Sequence, residues 1–288
     1  MHMTMNPFQK IAVAIAFSPR CEAMVAEAKL LQQTLGSALY FIHCGNKTIQ
    51  EEQYLKHLLH RFNLDNKNVH VIWREGDPVE SIKEFCSTES IDLLVAGALE
   101  KESLLKYVLG GVSRQLSRKV KCSMLMLTEP NIHPKGFKHL VVEGTDHPKT
   151  ENTITVAMEL AKGFQAQTID LIQESDLSKL ALIRSDEFKE NEAGEKKIEL
   201  LREEDEKLEE ILRCVDCGEL QIQTERIEGK PGYVISKFAR EKNADLLILN
   251  SPDKPMNLLD RVFPHDIEYA LADLPCNLLI VHPKENNA

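Results

Sequence analysis

Glu75-Gly76-Asp77-Pro78, running on to Asp92-Leu93-Leu94, is repeated without a gap as Glu228-Gly229-Lys230-Pro231, running on to Asp245-Leu246-Leu247. Inside the repeat, Ile82 and Phe85 return as Ile235 and Phe238, all at an offset of 153 residues. Further along, Cys122-Ser123-Met124-Leu125 returns as Cys276-Asn277-Leu278-Leu279 at an offset of 154. A period this long marks duplicated domains, not a solenoid of short units. The length of 288 residues agrees with that, because a domain takes about 100–200 residues and each half can bury its own core. The two domains are placed at residues 9–129 and 137–284, with Glu129–Gly136 as the linker, broken by Pro130, Pro134 and Gly136.

Outward from the repeat, each copy reads as strands alternating with helices. Ile11–Phe17 is a continuous apolar run, as expected of a strand covered on both faces. Glu22–Leu35 carries Met24, Ala28, Leu31 and Leu35 at helical spacing and stops at Gly36. Ala38–His43 is the second strand, Thr48–Phe62 the second helix and Val69–Arg74 the third strand. Pro78 fits a first helical turn, where its missing N–H costs nothing. Asp92–Ala96 and Ser123–Leu127 complete the set as fourth and fifth strands. Such alternation gives an α/β fold, a parallel sheet with helices on both faces. The second copy runs from Lys138 to His282 and adds a charged stretch, Asp186–Arg213. There Ile198, Leu201, Leu208, Ile211 and Leu212 share one face, which predicts a long amphipathic helix.

The composition is that of a soluble globular protein, 43% hydrophobic and 28% charged, with a mean hydropathy of −0.27. A formal net charge of −10 works against nucleic acid, whose phosphates need clustered Lys and Arg. The seven cysteines are odd in number and scattered, mostly in or beside apolar runs. They are not a disulfide framework, and they point to a reducing compartment, the cytoplasm. Lys10 and the apolar Ile11–Phe17 resemble a short secretory signal, but Pro19-Arg20 is not a small-residue cleavage pattern, and a buried first strand is the better reading. No apolar run approaches the 18 or more residues of a membrane span.

Ligands of open parallel sheets bind beyond the carboxyl ends of the strands, where the strand order reverses. In the first copy the relevant segments are Ala16-Phe17-Ser18-Pro19 and Gly97 through Ser113. Gly110-Gly111-Val112-Ser113 stands directly before the helical Arg114–Val120. Glycines there let phosphate oxygens reach backbone N–H groups at the positive end of the helix, and Ser113 can add a hydroxyl. A glycine pair is also the default for a tight turn, so the signal depends on its place after the fourth strand.

Both copies resemble the universal stress protein family across nearly the whole chain. The residues that carry the resemblance are Lys10 through Ser18, Glu75-Gly76-Asp77-Pro78, Asp92 through Gly97, and Leu109-Gly110-Gly111-Val112-Ser113 leading to Cys122 through Leu127. The resemblance implies two Rossmann-like domains of the adenine nucleotide hydrolase-like kind, each a five-stranded parallel sheet. It also implies that ATP, with magnesium, lies against the ends of strands one and four. The family's phosphate loop reads Gly, two residues, Gly, nine residues, Gly, then Ser or Thr. On this chain its first and third glycines fall on Gly97 and Gly110, its second on Glu100, and its Ser/Thr position on Gly111, with Ser113 close by. Ala16 stands where an acid usually closes strand one. The first copy is thus expected to hold a weakened adenine-nucleotide site made of Ala16, Phe17, Ser18, Gly97, Gly110, Gly111 and Ser113. The second copy has Asn250, Asp253 and Phe263-Pro264 at the glycine positions and is expected not to bind ATP in that manner. Gly144-Thr145-Asp146, at its strand-one end, leaves room for some other ligand. The resemblance further implies that Ser123–Leu127 and Asn277–Val281 pair within one chain as a pseudo-dimer.

Other groupings read as structural. Cys214-x-x-Cys217 has redox or metal spacing but no second pair, and it ends a helix. His265-Asp266 is read as a helix cap, Asp146-His147-Pro148 as a turn before a helix, and His43 as a half-buried core residue. No nucleophile elbow, catalytic carboxylate pair or zinc motif occurs in the sequence. The function expected is a stress-response binding module. Its rivals are an ATP-hydrolysing enzyme and a scaffold without nucleotide. Association into a homodimer, and a protein partner, are open.

Overall fold

Apolar runs become strands and amphipathic runs become helices in both copies. The computed structural model describes residues 6–101, 106–108, 110–175, 190–252 and 266–284. The first half comprises β1 (Lys10–Ala14), α1 (Cys21–Leu35), β2 (Ala38–Cys44), α2 (Ile49–Arg61), β3 (Val69–Arg74), α3 (Pro78–Thr88) and β4 (Leu93–Gly97), then β5 (Leu99–Lys101), β6 (Lys106–Val108), α4 (Gly111–Lys119) and β7 (Ser123–Leu127). The second comprises β8 (His139–Glu143), α5 (Thr150–Phe164), β9 (Thr168–Ser175), α6 (Glu190–Cys214), β10 (Ile222–Glu228), α7 (Tyr233–Glu241), β11 (Leu246–Asn250), α8 (Asp266–Ala272) and β12 (Asn277–Val281). β4 and β11 sit at the offset of 153, β7 and β12 at that of 154.

Helix ends follow local chemistry. The Thr48 hydroxyl accepts from the Glu51 N–H at the start of α2, and the Asp77 carboxylate from the Glu80 N–H ahead of Pro78 in α3. Gly36 closes α1 with a φ of 70°. In the second half Lys230 replaces Asp77. The start of α7 is served instead by the buried Glu174 of β9, whose Oε1 accepts from the N–H groups of Gly232 (2.9 Å) and Ile235 (3.1 Å).

The ten longer strands form one sheet in the order β10-β9-β8-β11-β12-β7-β4-β1-β2-β3. Each half therefore has the order 3-2-1-4-5 of its own five strands, all parallel. The halves meet where β7 runs antiparallel to β12, with Leu125 opposite Leu279. The expected pairing of fifth strands inside one chain is present. The Thr128 N–H donates to Asn277 Oδ1 (3.0 Å) and the His282 N–H to Ser123 Oγ (3.1 Å), so equivalent residues make the same bond from either side. Arg118 of α4 reaches Glu268 of α8 with Nε at 2.9 Å and Nη2 at 2.6 Å.

Alternate strand residues feed two cores. Ile11 and Val13 join Leu31 of α1, Leu58 of α2, Ile154 of α5 and Leu208 of α6 on one face. Ala12 joins Phe85 of α3, Leu116 of α4, Phe238 of α7 and Leu271 of α8 on the other. Each core spans both halves, giving three layers with the sheet in the middle.

Three expectations are corrected. β1 stops at Ala14, not Phe17; Ile15 stays buried, and the chain then turns, because apolarity reports burial rather than extension. The segment after Gly97 is not only loop, since β5 and β6 pair antiparallel there, with Glu100 opposite Tyr107. The apolar face foreseen for the charged helix is only partly covered. Leu208 is buried and Ile211 and Leu212 pack on the core, but Ile198 is 69% exposed. At 1.5 Å per residue this 25-residue helix is about 37 Å long, whereas the longest strand beneath it, of eight residues, spans about 26 Å.

Candidate functional site

Strand order reverses between β1 and β4, the place where open parallel sheets bind their ligands. Ala16 and Ser18 are exposed there and Phe17 is half-buried. The turn is tight: the Ser18 N–H donates to the Ala16 carbonyl (2.8 Å), and the Cys21 N–H to that of Ser18 (3.0 Å). Gly97 ends β4. Gly110 precedes α4 with extended backbone and without a side-chain cap, and Gly111 is the first residue of the helix. Ser113 Oγ donates to the Gly97 carbonyl at 3.3 Å, which draws the helix start onto the strand end. Among the described residues, a methyl group built on Gly111 would meet nothing within 4 Å. Gly97, Gly110, Gly111 and Ser113 are thus brought together at the start of α4, whose first-turn N–H groups have no partner within the helix.

Two features escaped the sequence reading. Arg20, at the N-cap of α1, donates from Nη1 to the carbonyls of Ala98 (2.8 Å) and Thr128 (3.4 Å), and so ties the 16–20 turn to the end of β4. Phe17 turns away from the glycines. Its ring stacks on Trp73 of β3 (centroids 5.7 Å, 12°) and meets His43 of β2 edge-on at 4.8 Å and Tyr54 of α2 at 6.3 Å. His43, read as a core residue, has Nδ1 3.1 Å from the Ile15 carbonyl.

The second half presents different chemistry at the same edge. Asn250, in the place of Gly97, is buried and engaged on three sides. Its Nδ2 donates to Thr150 Oγ1 (3.2 Å), its Oδ1 accepts from Thr153 Oγ1 (2.6 Å), and its N–H donates to Glu143 Oε2 (2.8 Å). Glu143 is an acid closing the first strand of that half; aligning Pro19 with Pro148 would have found it, opposite Ala14. Lys149 takes the place of Arg20 and likewise donates to backbone carbonyls, those of Ser251 (2.8 Å) and Pro252 (2.9 Å). Helix α6 crosses this edge: Leu208 lies 3.5 Å from where a methyl group on Gly144 would be, and Lys207 bonds Asp146 at 2.6 Å. Asp146-His147-Pro148 does precede a helix, α5. Asp253, Phe263, Pro264 and His265, and hence the cap expected of His265-Asp266, lie outside the described residues. Cys214 and Cys217 are free thiols. Among the described residues no group of His, Cys, Asp and Glu could hold a metal ion, and no helix is long and apolar enough to cross a membrane.

The model of the universal stress protein family matches residues 45–128 and again 136–282. Among solved structures, the chain is similar to a functionally unknown protein from Pseudomonas aeruginosa PAO1, at 17% identity and a TM-score of 0.71 over 97% of this chain and 94% of that one. It is also similar to a universal stress protein from Archaeoglobus fulgidus DSM 4304, at 13% identity and a TM-score of 0.61 over 95% and 98%. At these identities the likeness shows the fold. No curated protein matches the chain.

Proposed function

This chain belongs to the universal stress protein family, and on that footing we propose that it works in the cytoplasm as a stress-response binding module with one adenine-nucleotide site, in its first half. The observation that carries the reading is the meeting of Gly97, Gly110, Gly111 and Ser113 at the start of α4, where among the described residues no side chain caps the helix and none lies against Gly111. The phosphates of ATP, with their magnesium, would accept from the N–H groups of that first turn, which the helix dipole favours. The expectation that the second half binds no ATP in this manner is supported by Asn250, which stands in the place of Gly97 and bonds to Thr150 and Thr153, and by Leu208, which packs beside Gly144.

Isothermal titration with Mg-ATP tests this. We expect one site per chain, accompanied at about 100-fold excess over Kd by stabilisation of about 2.7 kcal/mol, and both effects lost in Gly110→Val. Absence of heat together with an unmoved melting temperature would overturn the proposal. The packing of Phe17 on Trp73, His43 and Tyr54 favours a second reading, a scaffold that binds protein without nucleotide. Under that reading Gly110→Val changes no response to nucleotide. In both, phosphate release from ATP stays at background, and turnover would favour the hydrolase.

A further inference from the structure

Two cysteines far apart in sequence come together at the opposite end of the first half. Cys86 of α3 is buried at 5% exposure, and Cys122 is half-buried in the turn before β7. Their thiols are hydrogen-bonded to each other. Both line a cavity of about 650 Å³ whose wall includes Lys119, Lys284 and Asp92. Lys119 is paired with Glu80 (2.8 Å) and Lys284 with Asp92 (2.9 Å), so charged groups share the wall with apolar ones, a mixed lining that admits water and small solutes.

The duplicated half serves as an internal comparison. Cys122 recurs there as Cys276, but the counterpart of Cys86 is Ala239, fully buried. Cys276 has its Sγ 3.3 Å from its neighbour's carbonyl, that of Asn277. A methyl group therefore meets the packing need at this place, and a second sulfur beside the first is particular to the first half.

We propose that Cys86 and Cys122 form a reversible dithiol–disulfide site, oxidised by a small hydroperoxide that enters through this cavity. The Cys122 sulfur, the more exposed, attacks the peroxide; an S–O bond forms, the O–O bond breaks, and water or an alcohol departs, leaving a sulfenic acid. The Cys86 sulfur then attacks that sulfur. The S–O bond breaks, the Cys86 proton leaves with the hydroxide as water, and the S–S bond closes. Two thiols lose two electrons and two protons, and the hydroperoxide takes them up. The hydrogen bond with Cys122 and burial hold the Cys86 proton on, far above the usual thiol range, which suits Cys86 to resolve rather than attack. The bond would close the loop that carries β4, Gly97, Gly110 and Ser113.

The test uses the full chain, treated with a slight excess of hydrogen peroxide, its remaining thiols blocked in denaturant and its peptides mapped without reductant. We expect a Cys86–Cys122 linked peptide that dithiothreitol separates. In Cys86→Ala, which installs the residue the second half already carries, dimedone should label Cys122. Recovery of both cysteines as blocked thiols while the exposed Cys214 is oxidised would overturn the proposal. So would dimedone labelling of Cys86 in Cys122→Ala at the rate Cys122 shows in Cys86→Ala.

Discussion

Acidification is expected to loosen this protein through His282, which stands just beyond β12 at the seam between the halves. Burial, and secondarily the charge of Lys149, push its imidazole down to about 4 from an ordinary 6.5. The folded chain then binds fewer protons than the unfolded chain between those values, so stability rises with pH across that window. The contribution is fully present above about pH 6.5 and is lost as pH falls toward 4. A tenfold change in proton affinity is worth about 1.4 kcal/mol, so the full loss is about 3 kcal/mol, of which about 2 kcal/mol has gone by about pH 5. Carboxylates add their own dependence, so the measurement is a difference. Urea unfolding of the wild type and of His282→Gln is followed at about pH 8 and about pH 5. The variant should lose about 2 kcal/mol less than the wild type on acidification. Equal losses in the two proteins would refute the argument, since the imidazole would then titrate alike folded and unfolded.

Leu279, 1% exposed and opposite Leu125 at the seam, should cost about 2–5 kcal/mol on replacement by Ala; denaturant unfolding reads this, and a cost under about 1 kcal/mol would mean the seam is loosely packed. Glu174→Ala leaves the Gly232 and Ile235 N–H groups without their acceptor and should cost about 1–3 kcal/mol, with faster hydrogen exchange confined to the start of α7; unchanged exchange there would count against the capping role. Gly136 has a φ of 71°, and a methyl group on it would lie 2.6 Å from Phe164 Cδ1. Gly136→Ala should therefore lower stability by at least about 1 kcal/mol, read from the melting curve, and a neutral result would show that Phe164 moves aside freely.

The parts of the fold legible in the sequence were those set by repetition and by strong local signals. The ungapped match from Glu75 to Leu94 located both copies, Gly36 and Pro78 placed helix ends, and β3 and β7 came out with the observed bounds. The family resemblance supplied the pairing of β7 with β12. What stayed hidden depended on contacts between distant residues. Strands β5 and β6 have three residues each, too short for an alternating pattern to declare itself. Arg20 looks like any surface cation until the Ala98 carbonyl is placed beside it. Phe17 belongs to the apolar run of β1 on paper, and only the arrival of Trp73 and Tyr54 shows where its ring goes. Of the candidate site, Gly97, Gly110, Gly111 and Ser113 do converge. The engagement of Asn250 with Thr150 and Thr153 required the structure, because nothing in a lone Asn announces its partners.

The antiparallel join of β7 to β12 also bears on how such a molecule can change over generations. Two identical subunits must accept every substitution twice, once at each copy of a surface, and a change that helps one edge is imposed on the other. Fusion lifts that constraint while keeping the shared edge. A helix as long as α6 could lengthen over one end, a thiol could appear at position 86 and not at 239, and an open glycine corner could persist in one half while its counterpart filled with Asn250. The seam holds the halves together and leaves each free to specialise alone.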